Sequence, residues 1–337
     1  MMKDKLKRIL KLIDDSTEVL ITSHCDPDGD SIGSQLALAH LVDARGKPYR
    51  IVNQGELPRK YVFLDPEKRI GSLEALEEAD RRESEADLVF VLDCTSQSRM
   101  GEVVGMIPQQ AVVVNLDHHG DNEMFGTLNY LDPDASAVGE MIYLLFKAAH
   151  IPLTPQVSTW LFAAILTDTG RFKFSNTSPA CLRTCAELIQ GGADPRQITN
   201  RIYFNHSLAF LKLLGAVLSS PEITPDRRVC IMTVKRETLV NLGVDLKEME
   251  GLVNYSLFLE GVEIGLLFTE KVEGRTKVNL RSQNQFDVAR VARAFGGGGH
   301  RNAAGCTLSL PLEQAKRTVL EHIQTILQHE PVRSLDS

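Results

Sequence analysis

The sequence predicts an α/β protein. It reads as an N-terminal domain with a mainly parallel sheet flanked by helices, a helical connector, and a smaller C-terminal α/β domain with a mixed sheet. Three observations predict this class. Short apolar runs alternate with helical patterns through the first half of the chain. Two of those runs, DLVFVLD (87–93) and AVVVNLD (111–117), are almost continuously apolar, as parallel strands buried on both faces are. Beyond about residue 221 the pattern changes to longer strands with few helices. The predicted boundaries are 1–178, 179–220 and 221–337.

The elements follow in order. MMKDKLKRILKLIDD (1–15) has the pattern of a charged amphipathic helix and lacks the unbroken apolar stretch of a secretory signal. VLIT (19–22) is a strand. SIGSQLALAHLVDA (31–44) carries helical spacing through Ile32, Leu36, Ala39 and Val42. RGKP breaks that helix, and YRIV (49–52) is a second strand. A charged helix is expected over 72–84, then strands at 87–93 and 111–117, with an α/β layer carrying helices on both sides. Helices are expected near 136–149 and 154–166. The connector is helical, broken at GGADP (191–195). VCIMTV (229–234), VEIGLLFTE (262–270) and TKVNLRS (276–282) are strands, the last two joined by a turn at Glu273-Gly274. A helix at 287–295 leads into GGGGH. A strand at CTLSL (306–310) and a helix over 312–328 end the pattern.

A chain of 337 residues can bury two cores of ordinary size. No apolar run is long enough to cross a membrane as a helix. The six cysteines, at 25, 94, 181, 185, 230 and 306, make no CxxC pair, so reduced thiols and a cytoplasmic location are expected. A formal net charge of −7 argues against a partner such as long duplex nucleic acid, and leaves room for a local basic pocket.

In open α/β sheets, ligands gather outside the carboxyl ends of the strands. After VLIT come His24, Asp26, Asp28 and Asp30. DLVFVL ends on Asp93, and AVVVNL ends on Asp117, His118 and His119. The helix WLFAAIL leads to Asp168 in LTDTGRF. Alone, each is ordinary: turns are rich in aspartate, and a buried aspartate is often only hydrogen-bonded. Together they place at least five carboxylates at one edge, an arrangement that needs cations to offset its repulsion. Mixed histidine and aspartate suits Mn²⁺, Fe²⁺, Co²⁺ or Zn²⁺; oxygen alone would favour Mg²⁺ or Ca²⁺. There are enough ligands for two ions, and two-metal sites suit hydrolysis of phosphate esters.

FGGGGHRNAAG (295–305) is the second signal. Four consecutive glycines are entropically costly, and they let a backbone come close to an anion or simply form a mobile loop. Between 271 and 301, Lys271, Arg275, Lys277, Arg281, Arg290, Arg293 and Arg301 stand against Glu273 and Asp287, a net of +5. An anion pocket with Arg281 and His300 is expected there, Arg serving as a bidentate donor.

HCDPDGDSIGS, VLDCTS, NLDHHGDN and LTDTGRF, in this order, resemble the motifs of the DHH phosphoesterases, and FGGGGHRNAAG resembles the signature of the DHHA1 domain that accompanies them. The resemblance covers nearly the whole chain. It implies that His24, Asp28 and Asp93 hold one metal and that Asp30, Asp93, His118 and Asp168 hold a second, with Asp93 shared. Asp117 would support the histidine pair, and His119 would contact phosphate or assist proton transfer, making His119 and Asp93 the catalytic residues. Asp26 is not expected to ligate. Arg281, Ser282, Gly296, Gly297, Gly298, Gly299 and His300 would bind substrate. Members of similar length and domain pairing imply two divalent ions, most often Mn²⁺ with Mg²⁺ or Co²⁺ as substitutes, a cytoplasmic homodimer, and no membrane partner. The expected substrates are short single-stranded RNA or small nucleotides, including adenosine 3′,5′-bisphosphate, which would give AMP and phosphate. The alternatives are a phosphodiesterase for cyclic or linear dinucleotides, a small-anion phosphatase or pyrophosphatase, and a non-enzymatic metal- or nucleotide-binding module. Pyrophosphatases of the family lack the GGGGH loop, and the RecJ-type nucleases are much longer.

Overall fold

A computed structural model describes residues 2–77, 85–244, 249, 251–272, 274–283 and 286–329, divided into two compact units, Met1–Asn205 and His206–Ser337. The first unit begins with helix α1 (Met2–Asp15), strand β1 (Val19–Thr22), helix α2 (Gly29–Ala44), and strands β2 (Tyr49–Asn53) and β3 (Ile70–Ser72). It continues with β4 (Leu88–Leu92), β5 (Val112–Asp117), β6 (Leu128–Leu131), and helices α3 (Val138–Ala149), α4 (Pro155–Asp168), α5 (Pro179–Gln190) and α6 (Pro195–Tyr203). The six strands form one parallel sheet in the order β3-β2-β1-β4-β5-β6. The order reverses between β1 and β4, and such a reversal opens a crevice at the carboxyl ends of the two strands.

Side chains alternate across this sheet. Ile21, Phe90 and Leu116 join α1 to α5 in the larger core, and Leu20, Val89 and Val91 join Met100, Val103 and Met106 on the other face. Among the described residues, that second face is covered by short 3₁₀ segments, Leu73–Ala75 and Gln97–Met106, where α-helices are expected on both sides. The helix expected over 72–84 is not formed in its described part. Ile70–Ser72 pairs with β2, the Asp65 carboxylate accepts from the N–H groups of Arg69 and Ile70, and only one 3₁₀ turn follows. Residues 78–84 lie outside the described residues. The edge strands β3 and β6 escape a sequence reading because IGS and LNYL are too short and too polar to stand out.

Helix α2 forms where its spacing predicts, but it is buried on nearly every side, packed against α3, α4 and the sheet. Two glycines permit this. A Cβ on Gly33 would lie 2.3 Å from the Trp160 carbonyl oxygen, and one on Gly29 would lie 2.5 Å from the Thr167 side chain. The two helices therefore touch through backbone, which draws the ends that carry Asp30 and Asp168 together.

The second unit holds α7 (Leu208–Leu218), β7 (Glu222–Ile223), β8 (Val229–Val234), α8 (Arg236–Leu242), β9 (Ile264–Glu270), β10 (Thr276–Ser282), α9 (Val288–Ala294), β11 (Gly298–His300), β12 (Ala303–Leu308) and α10 (Leu312–His329). Its sheet runs β11-β12-β10-β9-β8-β7, with β8 and β9 parallel and the other pairs antiparallel. α9 and α10 cover one face through Val291, Val319 and Ile323. α7, α8 and a 3₁₀ segment, Leu252–Phe258, cover part of the other. Of the expected Glu273-Gly274 turn, Glu273 lies outside the described residues, and Gly274 has φ +66°.

The polyglycine run is not a free loop. Gly298–His300 pairs with Ala303–Gly305 as a hairpin closed by Arg301 and Asn302, so β12 starts three residues earlier than CTLSL predicts. Within the segment 179–220, α5 and α6 pack through Cys185, Leu188 and Ile198 into the first unit's core, while Phe210 and Leu213 of α7 pack into the second. Among the described residues, no helix is long and apolar enough to cross a membrane.

Gly33→Ala should lower stability by about 1–3 kcal/mol in chemical denaturation, because α2 and α4 must separate. Gly215→Ala, on α7 with open space around its Cβ direction, should instead raise it by about 0.5–1 kcal/mol.

Candidate metal centre

The crevice beyond β1 and β4 receives side chains from four elements. The chain leaves β1 through His24 and turns where the Cys25 N–H donates to the Arg99 carbonyl at 2.8 Å. Asp28 then caps α2, its carboxylate accepting from the N–H groups of Asp30 and Ser31 at 3.0 and 3.1 Å. Beyond β4, Asp93 takes a left-handed backbone with φ +53° while its N–H still bonds to the Leu116 carbonyl. Aspartate tolerates that conformation better than most residues, and such strain is common where a side chain must be aimed. Asp117 closes β5, with His118 and His119 directly after it. Asp168 closes α4.

These groups converge on Asp93. His24 Nε2 lies 3.6 Å from Asp93 Oδ2, His118 Nε2 3.8 Å from Asp93 Oδ1, and His119 Nδ1 3.6 Å from Asp93 Oδ1. His118 Nε2 also lies 3.5 Å from Asp168 Oδ2. Three overlapping trios have potential ligand atoms within 4.8 Å of one another: His24, Asp28 and Asp93; Asp93, His118 and His119; and Asp30, His118 and Asp168. Asp117 belongs to none of them. Its Oδ1 accepts from His119 Nδ1 at 2.6 Å and from the His118 N–H at 2.8 Å, and its Oδ2 accepts from Asn122 at 2.6 Å.

Several positioning groups were not read from the sequence. Ser31 Oγ donates to Asp93 Oδ2 and contacts His24 Nε2, both at 2.8 Å. Asp30 is fully buried and accepts three bonds, from Ser34 Oγ and from the N–H groups of Val138 and Gly139 at the start of α3. His118 Nδ1 donates to the Ala135 carbonyl at 3.2 Å, which turns Nε2 toward Asp93 and Asp168. Asn176 Nδ2 reaches Asp168 Oδ2 at 3.1 Å and the Ser136 carbonyl at 2.9 Å. Arg99 is half-buried and within electrostatic range of His24. Ser34 follows Asp30 at helical spacing and could have been found from that interval. Asn176 has no comparable signal, because only the tertiary fold brings it to Asp168.

Burial, with the charges of Asp93, Asp168 and Asp28, pushes the Asp30 carboxyl well above its usual value, against the three donors it accepts from. Burial likewise lifts Asp168 to about 7, helped by Asp93 and Asp28 and opposed by His118 and His119. Burial opposes ionisation of Asp93 too, but the contact with His24 and the neighbouring imidazoles hold it below the usual carboxylate range. Burial disfavours a charged His119, yet the bond to Asp117 and the charge of Asp93 raise it to about 9. His24 is also raised: Asp93 overcomes the effect of burial.

Among the candidate ligands, three buried atoms lack a hydrogen-bond partner: His24 Nδ1, Asp93 Oδ1 and His118 Nε2. Because the proton of His118 is directed from Nδ1 to Ala135, its Nε2 presents a lone pair toward carboxylate oxygens. Lone pairs facing one another in a buried site call for a cation, and mixed imidazole and carboxylate donors suit a divalent transition metal. The residues present fit such ions.

In the second unit, Arg281 on β10 donates from Nε to Asn254 Oδ1 at 3.1 Å and from Nη1 to the Leu280 carbonyl at 3.0 Å. The Ser282 hydroxyl is buried, donating to the Phe286 carbonyl and accepting from Asn302, so it clamps the adjoining segment. The N–H groups of Gly296 and Gly297 bond to the Arg293 and Ala292 carbonyls at the end of α9. Gly297 and Gly299 lie too close to β12 for a Cβ, Gly298 faces open space, and His300 ends β11 opposite Ala303.

The DHH family N-terminal domain matches residues 18–165, and the DHHA1 domain matches residues 227–329. The Thermus thermophilus protein named bifunctional oligoribonuclease and PAP phosphatase NrnA is 34% identical over 307 residues, covering 91% of this chain and 89% of that protein. The Bacillus subtilis protein of the same name is 29% identical over 335 residues, covering 98% and 100%. The crystal structure of an exopolyphosphatase-related protein from Bacteroides fragilis superposes with a TM-score of 0.90 at 26% identity, covering 96% of this chain and 98% of that one.

Divalent cations should raise the melting temperature, since a ligand at 100 times its Kd adds about 2.7 kcal/mol. Asp93→Asn, which keeps a residue tolerant of the left-handed backbone, should remove most of that rise in differential scanning fluorimetry. A rise of the same size in the variant would exclude Asp93 as a shared ligand.

Proposed function

This chain belongs to the DHH family of phosphoesterases and carries the DHHA1 domain, and from that premise we propose that it hydrolyses short oligoribonucleotides, and adenosine 3′,5′-bisphosphate to AMP and phosphate. It is a hydrolase of phosphoester bonds. The observation that carries the proposal is the overlap of three donor trios on Asp93 and His118, among buried atoms that lack hydrogen-bond partners. The names borne by the two similar bacterial proteins support the choice of substrates.

In this reading His24, Asp28 and Asp93 hold one Mn²⁺, and Asp30, Asp93, His118 and Asp168 hold the other. Bound divalent ions supply Lewis-acid charge and lower the pKa of an attacking water. The protein's own residues do the rest. Asp117, tied to Asn122, holds His119 through Nδ1 and favours its charged form. That imidazolium offsets charge gathering on the phosphoryl oxygens and can give a proton to the leaving oxygen. Ser31 and Asn176 keep Asp93 and Asp168 in place. Arg99 contacts further phosphate oxygens, and Arg281 of the C-terminal unit binds substrate. The enzyme acts in the cytoplasm, as a homodimer.

The test is a panel of adenosine 3′,5′-bisphosphate, di- to pentaribonucleotides, cyclic dinucleotides and pyrophosphate, each with Mn²⁺, Mg²⁺ or Co²⁺. RNA and the bisphosphate should be turned over fastest with Mn²⁺; faster hydrolysis of pyrophosphate or cyclic dinucleotides would defeat the reading. His119→Gln should lower kcat by about 10²–10⁴-fold. Arg281→Ala should act mainly through KM, and an unchanged KM would remove it from the substrate contacts.

A further inference from the structure

A groove in the C-terminal unit, away from Arg281, has no part in the reading above. It lies between α8 and the β9–β10 turn and encloses about 830 Å³, within the range of nucleotide-sized pockets. Arg236, Lys271 and Arg275 line it, against one carboxylate, Glu270, among the described lining residues. Glu270 is already engaged, accepting from the Arg236 backbone N–H at 3.1 Å. The apolar lining includes Val240 and Val272, which are 68% and 42% exposed. Burial, with the charges of Lys277 and Arg275, holds the Lys271 ammonium below its usual value. Crowded cations of this kind gain from an anion, and exposed valines beside them offer a surface for a sugar or base.

The groove and Arg281 stand at opposite ends of β10. Arg281 and Lys277 lie on one face of that strand, and their partners on β12 are Ala303 and Thr307. Thr307 is itself a wall of the groove, and between the two positions Asn279 stands opposite Gly305, its amide close over the glycine, as a further polar group on the same face. The polar row Arg281, Asn279 and Lys277 of β10 thus runs from Arg281 to the groove, beside the 3₁₀ segment Leu252–Phe258 that covers part of the same side. Six residues separate Arg281 from Arg275, about 20 Å of strand. Hydrogen-bond reach to phosphate is about 3 Å, so a mononucleotide held at Arg281 touches nothing in the groove. A stacked single strand advances about 3.4 Å per nucleotide, so several nucleotides are needed to bridge the two, fewer when extended.

We propose that this groove is a second phosphate-binding site for RNA, engaged only by oligoribonucleotides long enough to run from Arg281 along β10 to the β9–β10 turn. The assignment rests on the functional reading in which Arg281 contacts substrate. It makes length a property that the enzyme senses: small nucleotides and dinucleotides use Arg281 alone, and longer chains gain contacts from Arg236, Lys271 and Arg275.

The test combines Arg236→Ala, Lys271→Ala and Arg275→Ala in the full chain. Binding of dye-labelled ribonucleotides two to ten residues long is followed by fluorescence anisotropy in EDTA, and turnover of adenosine 3′,5′-bisphosphate is measured separately with Mn²⁺. The triple variant should lose at least about tenfold in affinity for the octamer and longer chains. The slope of log K against log salt should fall by about 2 for three lost contacts. Dinucleotide affinity and bisphosphate turnover should stay at wild-type values, which also reports an intact fold. Unchanged octamer affinity would overturn the assignment. So would an equal loss for AMP or the dinucleotide, since the groove would then be a mononucleotide site. A wild-type protein that turns over neither RNA nor the bisphosphate defeats the functional reading instead, and the metal-independent binding series still decides the groove.

Discussion

Asp93 lies where three imidazoles approach within 3.6–3.8 Å, in a crevice that also buries Asp30 and holds Asp28 and Asp168. The carboxylates gathered there, out of water, cannot all stay charged without compensation. The protein's own groups compensate only in part. Asp93 stays ionised against its imidazole neighbours, while burial drives Asp30 and Asp168 toward the protonated form. Divalent cations would exchange those protons for charge.

Around this constraint the structure is built to aim lone pairs. Asp117 accepts from two backbone N–H groups, His119 and Asn122, which engages both of its oxygens away from the centre. Asp30 is held by the first N–H groups of α3, where the helix dipole favours negative charge. Ser31 and Asn176 each hold one carboxylate oxygen. The atoms left over, His24 Nδ1, Asp93 Oδ1 and His118 Nε2, are therefore the result of a directed hydrogen-bond network. Donors held in advance need no reorganisation when an ion or phosphate arrives.

The C-terminal unit solves a different problem with glycine. Two of the four consecutive glycines close the end of α9 through their N–H groups, and the next two start a hairpin that lies flat against β12. Beside them β10 presents Arg281, Asn279 and Lys277 on one face, which extends toward the β9–β10 turn. A flat basic face of this kind suits a flexible polyanion better than a closed pocket does, because contacts can be added one phosphate at a time.

The sequence by itself determined the parallel core, through its two nearly continuous apolar strands, and pointed to the acid and imidazole groups, because most of them follow an apolar strand that must end at a sheet edge and Asp168 ends an apolar helix. Period and punctuation are local properties, so these features were legible. What lay beyond local reading was decided by the tertiary structure. The edge strands β3 and β6 exist because neighbouring strands offer unpaired backbone groups. The second sheet face is closed by 3₁₀ turns, and polyglycine becomes a strand because β12 lies beside it. Ser31, Asn122 and Asn176 acquire their roles only when α2, β5 and the segment after α4 meet. Gly33 shows the reason most directly: its lack of a side chain means nothing along the chain, and becomes decisive only where the Trp160 carbonyl approaches it.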